Sequence, residues 1–399
     1  MVKPFTLPWR RRRADAVANA QPSVERKSAP LNGGFVALHH AGSASWSPRS
    51  YAALAREGYM KNPVAHRCVR MIAEAAAAVP LLLYEGEREH DQHPMLELLT
   101  RPNPQESGAA FLEGLYGELL LSGNAYVEAV STGGTIRELY RHRPDLVRAS
   151  LDADGWVTGH ELSLRGRVRR IPSGSAADGG LMHLKLFHPI DQQMGFAPLE
   201  AAQMALDLHN ASSAWNKALL DNSARPSGAL VYQPKDGGNL TEDQYARLKA
   251  ELEDGYSGAN GAGRPMLLEG GLDWKTMALS PREMDFVEAR NGAARDIALA
   301  LGVPPMLLGI PGDNTYANYQ EANRAFLRLT VLPLIARACA AFTHWLAPAY
   351  GLALRLDFDA DRIEGLSVER EALWARLEAA SFLSDDEKRK AVGYEPLAR

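Results

Sequence analysis

Three clusters in this 399-residue chain have residue types and spacings that could carry chemistry. Asp357, Asp359 and Asp361 alternate in the manner of the first ligands of a calcium loop. Such a loop needs a glycine at its sixth position and a bidentate glutamate at its twelfth. Arg362 and Val368 stand there instead, so the triplet reads as a solvated strand edge. His183 and His188 flank Leu184 to Phe187 but have no third ligand or carboxylate in register, and they read as strand and turn histidines. Tyr256 to Pro265 is glycine-rich but lacks the Gly-Lys-Ser/Thr ending that cradles a phosphate. Neither a G-x-S-x-G elbow nor an H-E-x-x-H helix is present. The expectation is a chain that is not an enzyme, with no metal and no cofactor. A dispersed active site would leave no motif, so a hydrolase of that kind stays as a rival reading.

Charge bears on nucleic acid. The formal net charge is −4, whereas a protein that grips DNA by its phosphates is usually strongly basic. Arg137, Arg141, Arg143 and Arg148 could touch DNA, but Glu138 and Asp145 interleave with them. A solvated face or an intersubunit salt-bridge surface fits that mixture better. Arg10 to Arg13 follow Trp9 without the apolar stretch of an export signal, so residues 1–45 read as a flexible basic arm. A sequence-tolerant DNA binder using this arm is the second rival. Cys68 and Cys339 lie in apolar helical patterns far apart and read as buried thiols of a reducing compartment. No uninterrupted apolar run reaches the ~18 residues of a membrane span. Apolar residues make up 46% of the chain, enough to build cores and to exclude general disorder.

The elements that would position these residues follow from caps and periodicity. Asn62 as N-cap and Pro63 in the first turn open a helix to about Val79, with Val64, Cys68, Ile72, Ala75 and Val79 on one face. Pro80 stops it, and Leu81 to Tyr84 reads as a short buried strand. A second helix covers about Ser107 to Ser122, with Phe111, Leu115, Leu119 and Leu120 inward. A hairpin turns at Gly133-Gly134, and further strands run to about Phe187. From Pro198 long helices take over, with Met204, Leu208, Ala211, Trp215 and Leu219 on a shared face.

An insert of about 50 residues then opens with a strand at Ala229 to Tyr232. Thr241 and Gln244 form a capping box there, Gly255 ends the short helix, and Met266 to Leu268 and Trp274 to Met277 suggest strands. Ser280, Pro281 and Glu283 start another helix, which Gly302 ends. A polar loop leads into a long helix from about Tyr316 to Leu346, with a kink expected at Pro333. The tail offers a strand at Leu352 to Phe358 and two helices, the second with the capping box Ser384 to Glu387.

Two long helices interrupted by a small α/β insert, then a polar loop and a long kinked helix, form an order that resembles the portal proteins of tailed phages, of the Hong Kong phage type. The resemblance is carried by Asn62-Pro63-Val64, Val79-Pro80-Leu81, Pro102-Asn103-Pro104, Gly123-Asn124-Ala125-Tyr126, Asn222 to Gly228, Leu267 to Gly271 and Gly302-Val303-Pro304-Pro305 to Gly309. It implies an α+β portal fold: a wing over 46–197, a first stem helix over 198–226, a clip over 227–279 and a second stem helix over 280–302. A tunnel loop with a kinked wing helix would follow over 303–350, and a wing strand with a small crown over 351–399.

It further implies a closed head-to-tail ring of roughly twelve subunits around passing double-stranded DNA at one capsid vertex, in a virion or phage-like particle assembled in the bacterial cytoplasm. Asp313, Asn314, Thr315 and Tyr316 of the tunnel loop would face the channel. Lys235, Arg264, Trp274 and Lys275 would form the clip surface that docks the terminase motor and later the head-to-tail adaptor. The wing would meet the major capsid protein. Infectious phage and gene transfer agent both fit this reading.

Overall fold

The computed structural model describes residues 50–221, 228–232, 241–247, 250, 272–276, 286–311, 316–351 and 353–393. The basic arm, Gly255, the strand at Met266 to Leu268 and the Ser280-Pro281-Glu283 helix start lie outside them.

A turn at Tyr51–Ala53 runs into a π-helical stretch, Leu54–Met60, and then α1 (Pro63–Ala77). The Asn62 side chain accepts from the backbone amides of Val64 and Ala65 at 3.0 Å each, which is the cap expected from sequence. Strand β1 (Leu81–Glu85) follows Pro80, but only Leu83 of it is buried. Strand β2 (Arg88–Glu89) completes a tight hairpin. The helix α2 (Pro94–Thr100), capped by His93, was not anticipated. Helix α3 (Gly108–Ser122) takes Ser107 as its cap and buries Phe111, Leu115, Leu119 and Leu120 as expected. It ends at Gly123, whose φ of 75° is the left-handed conformation that glycine adopts freely. A Cβ there would come within 2.5 Å of the Gly195 and Phe196 backbone, so both φ and space demand glycine.

Two antiparallel sheets follow. Strands β3 (Asn124–Thr132) and β4 (Thr135–His142) form the predicted hairpin. Strands β5 (Val147–Leu151), β6 (Val157–Leu164) and β7 (Arg167–Pro172) form a second sheet in the order β5-β6-β7. Strand β8 (Met182–Lys185) returns to pair with β3.

The short turn Pro198–Ala201 leads into α4 (Gln203–Asp221). Its buried residues are Leu206, His209 and Ser212, following Ala202. The face shared by Met204, Leu208 and Ala211 points out: Met204 is 72% exposed, Leu208 46%, and Ala211 is exposed too. The inward face of the helix sets Leu206 beside the polar His209 and Ser212. In the insert, β9 (Gly228–Tyr232) pairs antiparallel with β10 (Leu272–Thr276), and residues 242–247 are helical. The capping box is present, with the Thr241 amide donating to Gln244 Oε1 at 3.0 Å.

Helix α5 (Phe286–Ala300) precedes a 3-10 turn, Pro305–Leu308. Helix α6 (Tyr316–Phe326) passes through a π-helical turn, Leu327–Val331, into α7 (Leu332–Tyr350). The irregularity expected at Pro333 is therefore a widened turn just before it. A π turn removes the clash between the proline ring and the carbonyl four residues earlier. The helical run Asn318–Tyr350 is long and apolar enough to cross a membrane by length and composition, with a mean hydropathy of 1.6 over its most apolar stretch. Arg328 and Arg337 interrupt the apolar residues within this run. Its inner face, including Val331, Ile335, Ala338, Phe342 and Trp345, is packed into the main core with α1 and α3. Strand β11 (Leu354–Phe358) pairs with β1, and α8 (Ser367–Ala379) and α9 (Asp385–Ala391) close the tail. Ser384 and Glu387 make the predicted capping box.

Candidate DNA channel and docking surfaces

Both approaches to the polar loop are anchored. Gly302 ends α5 with φ 69°, and the Val303 amide donates to the Ala298 carbonyl at 2.8 Å. Pro304 and Pro305 forbid further helix, Gly309 turns the chain with φ 70°, and Ile310 is buried. The Arg295 guanidinium of α5 donates to the Pro311 carbonyl. On the far side, the π turn brings Thr330 Oγ1 to 2.6 Å from the Gly302 carbonyl, to which it donates. Any Cβ at 302 would meet that oxygen at 2.7 Å. Of the expected channel residues, Asp313, Asn314 and Thr315 lie outside the described residues, and Tyr316 is the first residue of α6.

Of the expected clip residues, Lys235 and Arg264 lie outside the described residues. Trp274 pairs in register with Leu230, and Lys275 with Ala229.

Helix α4 is fixed to the body by a polar knot. Asn62 Nδ2 donates to His209 Nδ1 at 3.1 Å and to Asn210 Oδ1 at 2.9 Å, while Asn210 Nδ2 donates to the Glu57 carbonyl at 2.8 Å. With its oxygen capping α1, all four hydrogen-bonding capacities of the buried Asn62 are filled. Accepting at Nδ1 keeps His209 neutral, and burial followed by the Arg290 charge lowers its pKa. Outward, α4 and α5 present Met204, Leu208, Val287 (71% exposed) and Leu299 (78% exposed).

Several charged groups of the body are paired internally. The sequence places Arg141 on a solvated face or an intersubunit salt-bridge surface; instead it is largely buried, with its side chain 17% exposed, and donates to Glu106 and Glu118 of its own chain at 2.7 Å each. Its guanidinium lies where a Cβ on Gly114 would be, within 2.2 Å, which explains that glycine in mid-helix. Burial raises the Glu118 pKa to about 7 against the opposing Arg141. Arg143 pairs with Asp145 at 2.6 Å. Glu128 accepts from His142 at 2.7 Å and from both Arg169 nitrogens at 2.5 Å; although burial opposes ionisation, these bonds bring its pKa down to about 2.

His183 stacks on Tyr126 with ring centroids 4.4 Å apart and bonds to Asn124 Oδ1 at 2.9 Å. Burial lowers its pKa to about 3. His188 Nδ1 accepts from the Ile190 and Asp191 amides. These are the strand and turn roles expected. Asp357 pairs with Arg355, and Asp359 caps the turn at Asp361. Cys68 and Cys339 are free and buried, each thiol pushed up to about 12 by desolvation. Among the described residues no group of three or more His, Cys, Asp or Glu could hold a metal.

Comparison with known proteins agrees with this architecture. A chain from the neck of a native gene transfer agent particle, solved with C12 symmetry, is 51% identical and superposes with a TM-score of 0.67, covering 90% of this chain and 97% of its own. An HK97-family phage portal protein from Corynebacterium diphtheriae shares the fold at a TM-score of 0.56 and 16% identity, covering 79% and 98%. The portal protein of Enterobacteria phage HK97 is 24% identical over 83% of this chain and 78% of its own. An uncharacterized protein of Rickettsia bellii is 41% identical over 84% and 88%. The sequence model described as phage portal protein matches residues 63–393, and this chain belongs to that family.

Proposed function

We propose that this chain is the repeating subunit of a portal ring, the DNA channel at one vertex of a phage-like particle of the gene transfer agent kind. The observation that carries the reading is the 51% identity, over nearly the whole chain, to a protein in a particle neck of twelve-fold symmetry. The outward apolar residues of α4 and α5 support it, because a head-to-tail ring gives each subunit two different contact faces.

In this reading α4 and α5 are the stem around the channel, and the ribbon β9–β10 belongs to a clip that docks the packaging motor and then the adaptor. The loop bearing Asp313, Asn314 and Thr315 faces the axis, and the body from β1 to β8, with α7, is the wing that meets the capsid shell. A lining without cations lets duplex slide, since each phosphate pair formed would have to be broken again. The role is structural rather than enzymatic. Mass photometry of the purified protein tests it: particles of about twelve subunits support the reading, and a monomer at every concentration defeats it.

A further inference from the structure

The β5-β6-β7 sheet ends in a strand edge that pairs with nothing along most of its length. β7 pairs as a strand only with β6, the Pro172 carbonyl at its far end accepts from the Leu181 amide at 3.2 Å, and its first four residues are exposed. An edge strand offers alternate backbone N–H and C=O groups for strand addition, and proteins usually blunt such edges. This edge and its turn carry four arginines in six residues: Arg165, Arg167, Arg169 and Arg170.

Two of them are spoken for. Arg169 is locked on Glu128 at 2.5 Å and ties the sheet to β3; Arg170 pairs with Glu161 at 2.9 Å. Arg165 and Arg167 have no hydrogen-bond or ion-pair partner among the described residues and are exposed. Beside them, Val168 and Leu164 expose apolar surface. Arg165 is also the one non-glycine residue with positive φ among the described residues, at 48°, followed by Gly166 at 78°. Two left-handed residues make the tight hairpin turn between Leu164 and Arg167, where asparagine or aspartate is the usual first choice. Here a long cation takes that place at the tip.

We propose that β7 is a strand-addition site for an acidic extended polypeptide segment of another particle protein. The free backbone edge, the two unpaired guanidinium groups and the exposed Val168 together suit a polypeptide, whereas DNA phosphates would use the charges alone. The inference does not depend on the channel reading.

The test uses full-length assembled protein and a fluorescein-labelled eight-residue peptide alternating glutamate with valine, read by anisotropy. Binding should weaken with salt and fall roughly tenfold or more in Arg165→Glu/Arg167→Glu. It should fall likewise for the same peptide with alternate backbone amides N-methylated, which keeps the charge but cannot add as a strand. Hydrogen exchange on β7 should slow when the unmodified peptide is added. Absence of peptide binding, equal binding of the N-methylated peptide, or equal binding by the variant would each overturn the proposal. So would stronger arginine-dependent binding of a duplex DNA oligonucleotide at the same salt, which would make the patch a nucleic-acid site.

Discussion

The α+β body and the α4–α5 pair use apolar residues in opposite ways. In the body, Ile72, Leu115, Leu119, Ile335 and Phe342 are almost wholly buried within one chain. On the helix pair, Met204, Leu208, Val287 and Leu299 remain outside, although the same helices bury Leu206, Ala294 and Ile297 on their inner faces. The body builds a large core within its own chain, although Trp156, Phe187 and Ile190 stay exposed on it. In the portal reading a second copy covers the helix pair, so the stretch of chain that encloses the proposed channel would be the one that depends on neighbours.

The sharpest way to break this comparison is to mutate each side of it. Phe342→Ala should cost about 3–5 kcal/mol in the unfolding of the body, because a buried aromatic leaves a cavity. Met204→Asp with Leu208→Asp should change that unfolding by less than about 0.5 kcal/mol, as surface substitutions do, yet leave only monomers in analytical ultracentrifugation. Equal destabilisation by both variants would erase the distinction.

Next in size is the knot that joins the two regions. Asn62→Ala removes a helix cap, worth about 1 kcal/mol, and leaves buried partners of Asn62 unpaired, at about 1–3 kcal/mol. A loss of about 2–4 kcal/mol in chemical denaturation is expected, with faster exchange of α4 amides. A change confined to the first turn of α1 would show that His209 and Asn210 contribute nothing to the junction.

Acid should act on the body more gently. Glu118, raised to about 7, is protonated more readily in the folded state, so its contribution grows as pH falls from 7 to its unfolded value of 4.5 and is constant below. His183, lowered to about 3, works in the opposite direction: the unfolded chain takes up the proton below 6.5 and the folded chain does not. The two oppose each other down to pH 4.5. Below that, Glu128, held down to about 2, adds its loss to that of His183. His93, His160 and His209, whose pKa values burial also lowers, add to the loss on the side of His183. Stability should therefore fall from pH 6.5, partly offset by Glu118 down to 4.5, and then fall further by about 1–3 kcal/mol per pH unit, read from urea midpoints. Glu118→Gln should steepen the loss between pH 6.5 and 4.5, and an unchanged slope would mean that Glu118 does not titrate as described.

The smallest expected effect on structure is at the loop. Asp313→Lys with Asn314→Lys should leave folding and rings unchanged while slowing DNA packaging, with partial rescue at higher salt as screening weakens the new phosphate pairs. Normal packaging at low salt would remove these residues from the channel.

Local chemistry was legible where it is self-contained. Asn62, Ser107, Thr241 and Ser384 announce their helices through capping, and the Gly133-Gly134 turn announces its hairpin. Which side of α4 turns inward was not legible, because its apolar stripe of Met204, Leu208 and Ala211 is exposed while the buried side mixes Leu206 with His209 and Ser212. The ion pairs of Arg141 were hidden because Glu106 and Glu118 are distant in sequence and meet it only across α3 and β4. The π turn before Pro333 was expected only as a kink, since proline reports where a helix must give way and not how. Of the proposed channel residues, the sequence names a polar, cation-free loop, and the structure describes the anchors on either side of it.

The central claim, that the exposed face of α4 and α5 closes a ring, is tested most directly by cryo-electron microscopy of the purified full-length protein beside its Met204→Asp/Leu208→Asp variant. The account predicts closed rings of about twelve subunits with these helices packed against neighbours around the central hole, and no rings in the variant. Rings that leave Met204 and Leu208 in solvent, or rings formed equally well by the variant, would contradict it.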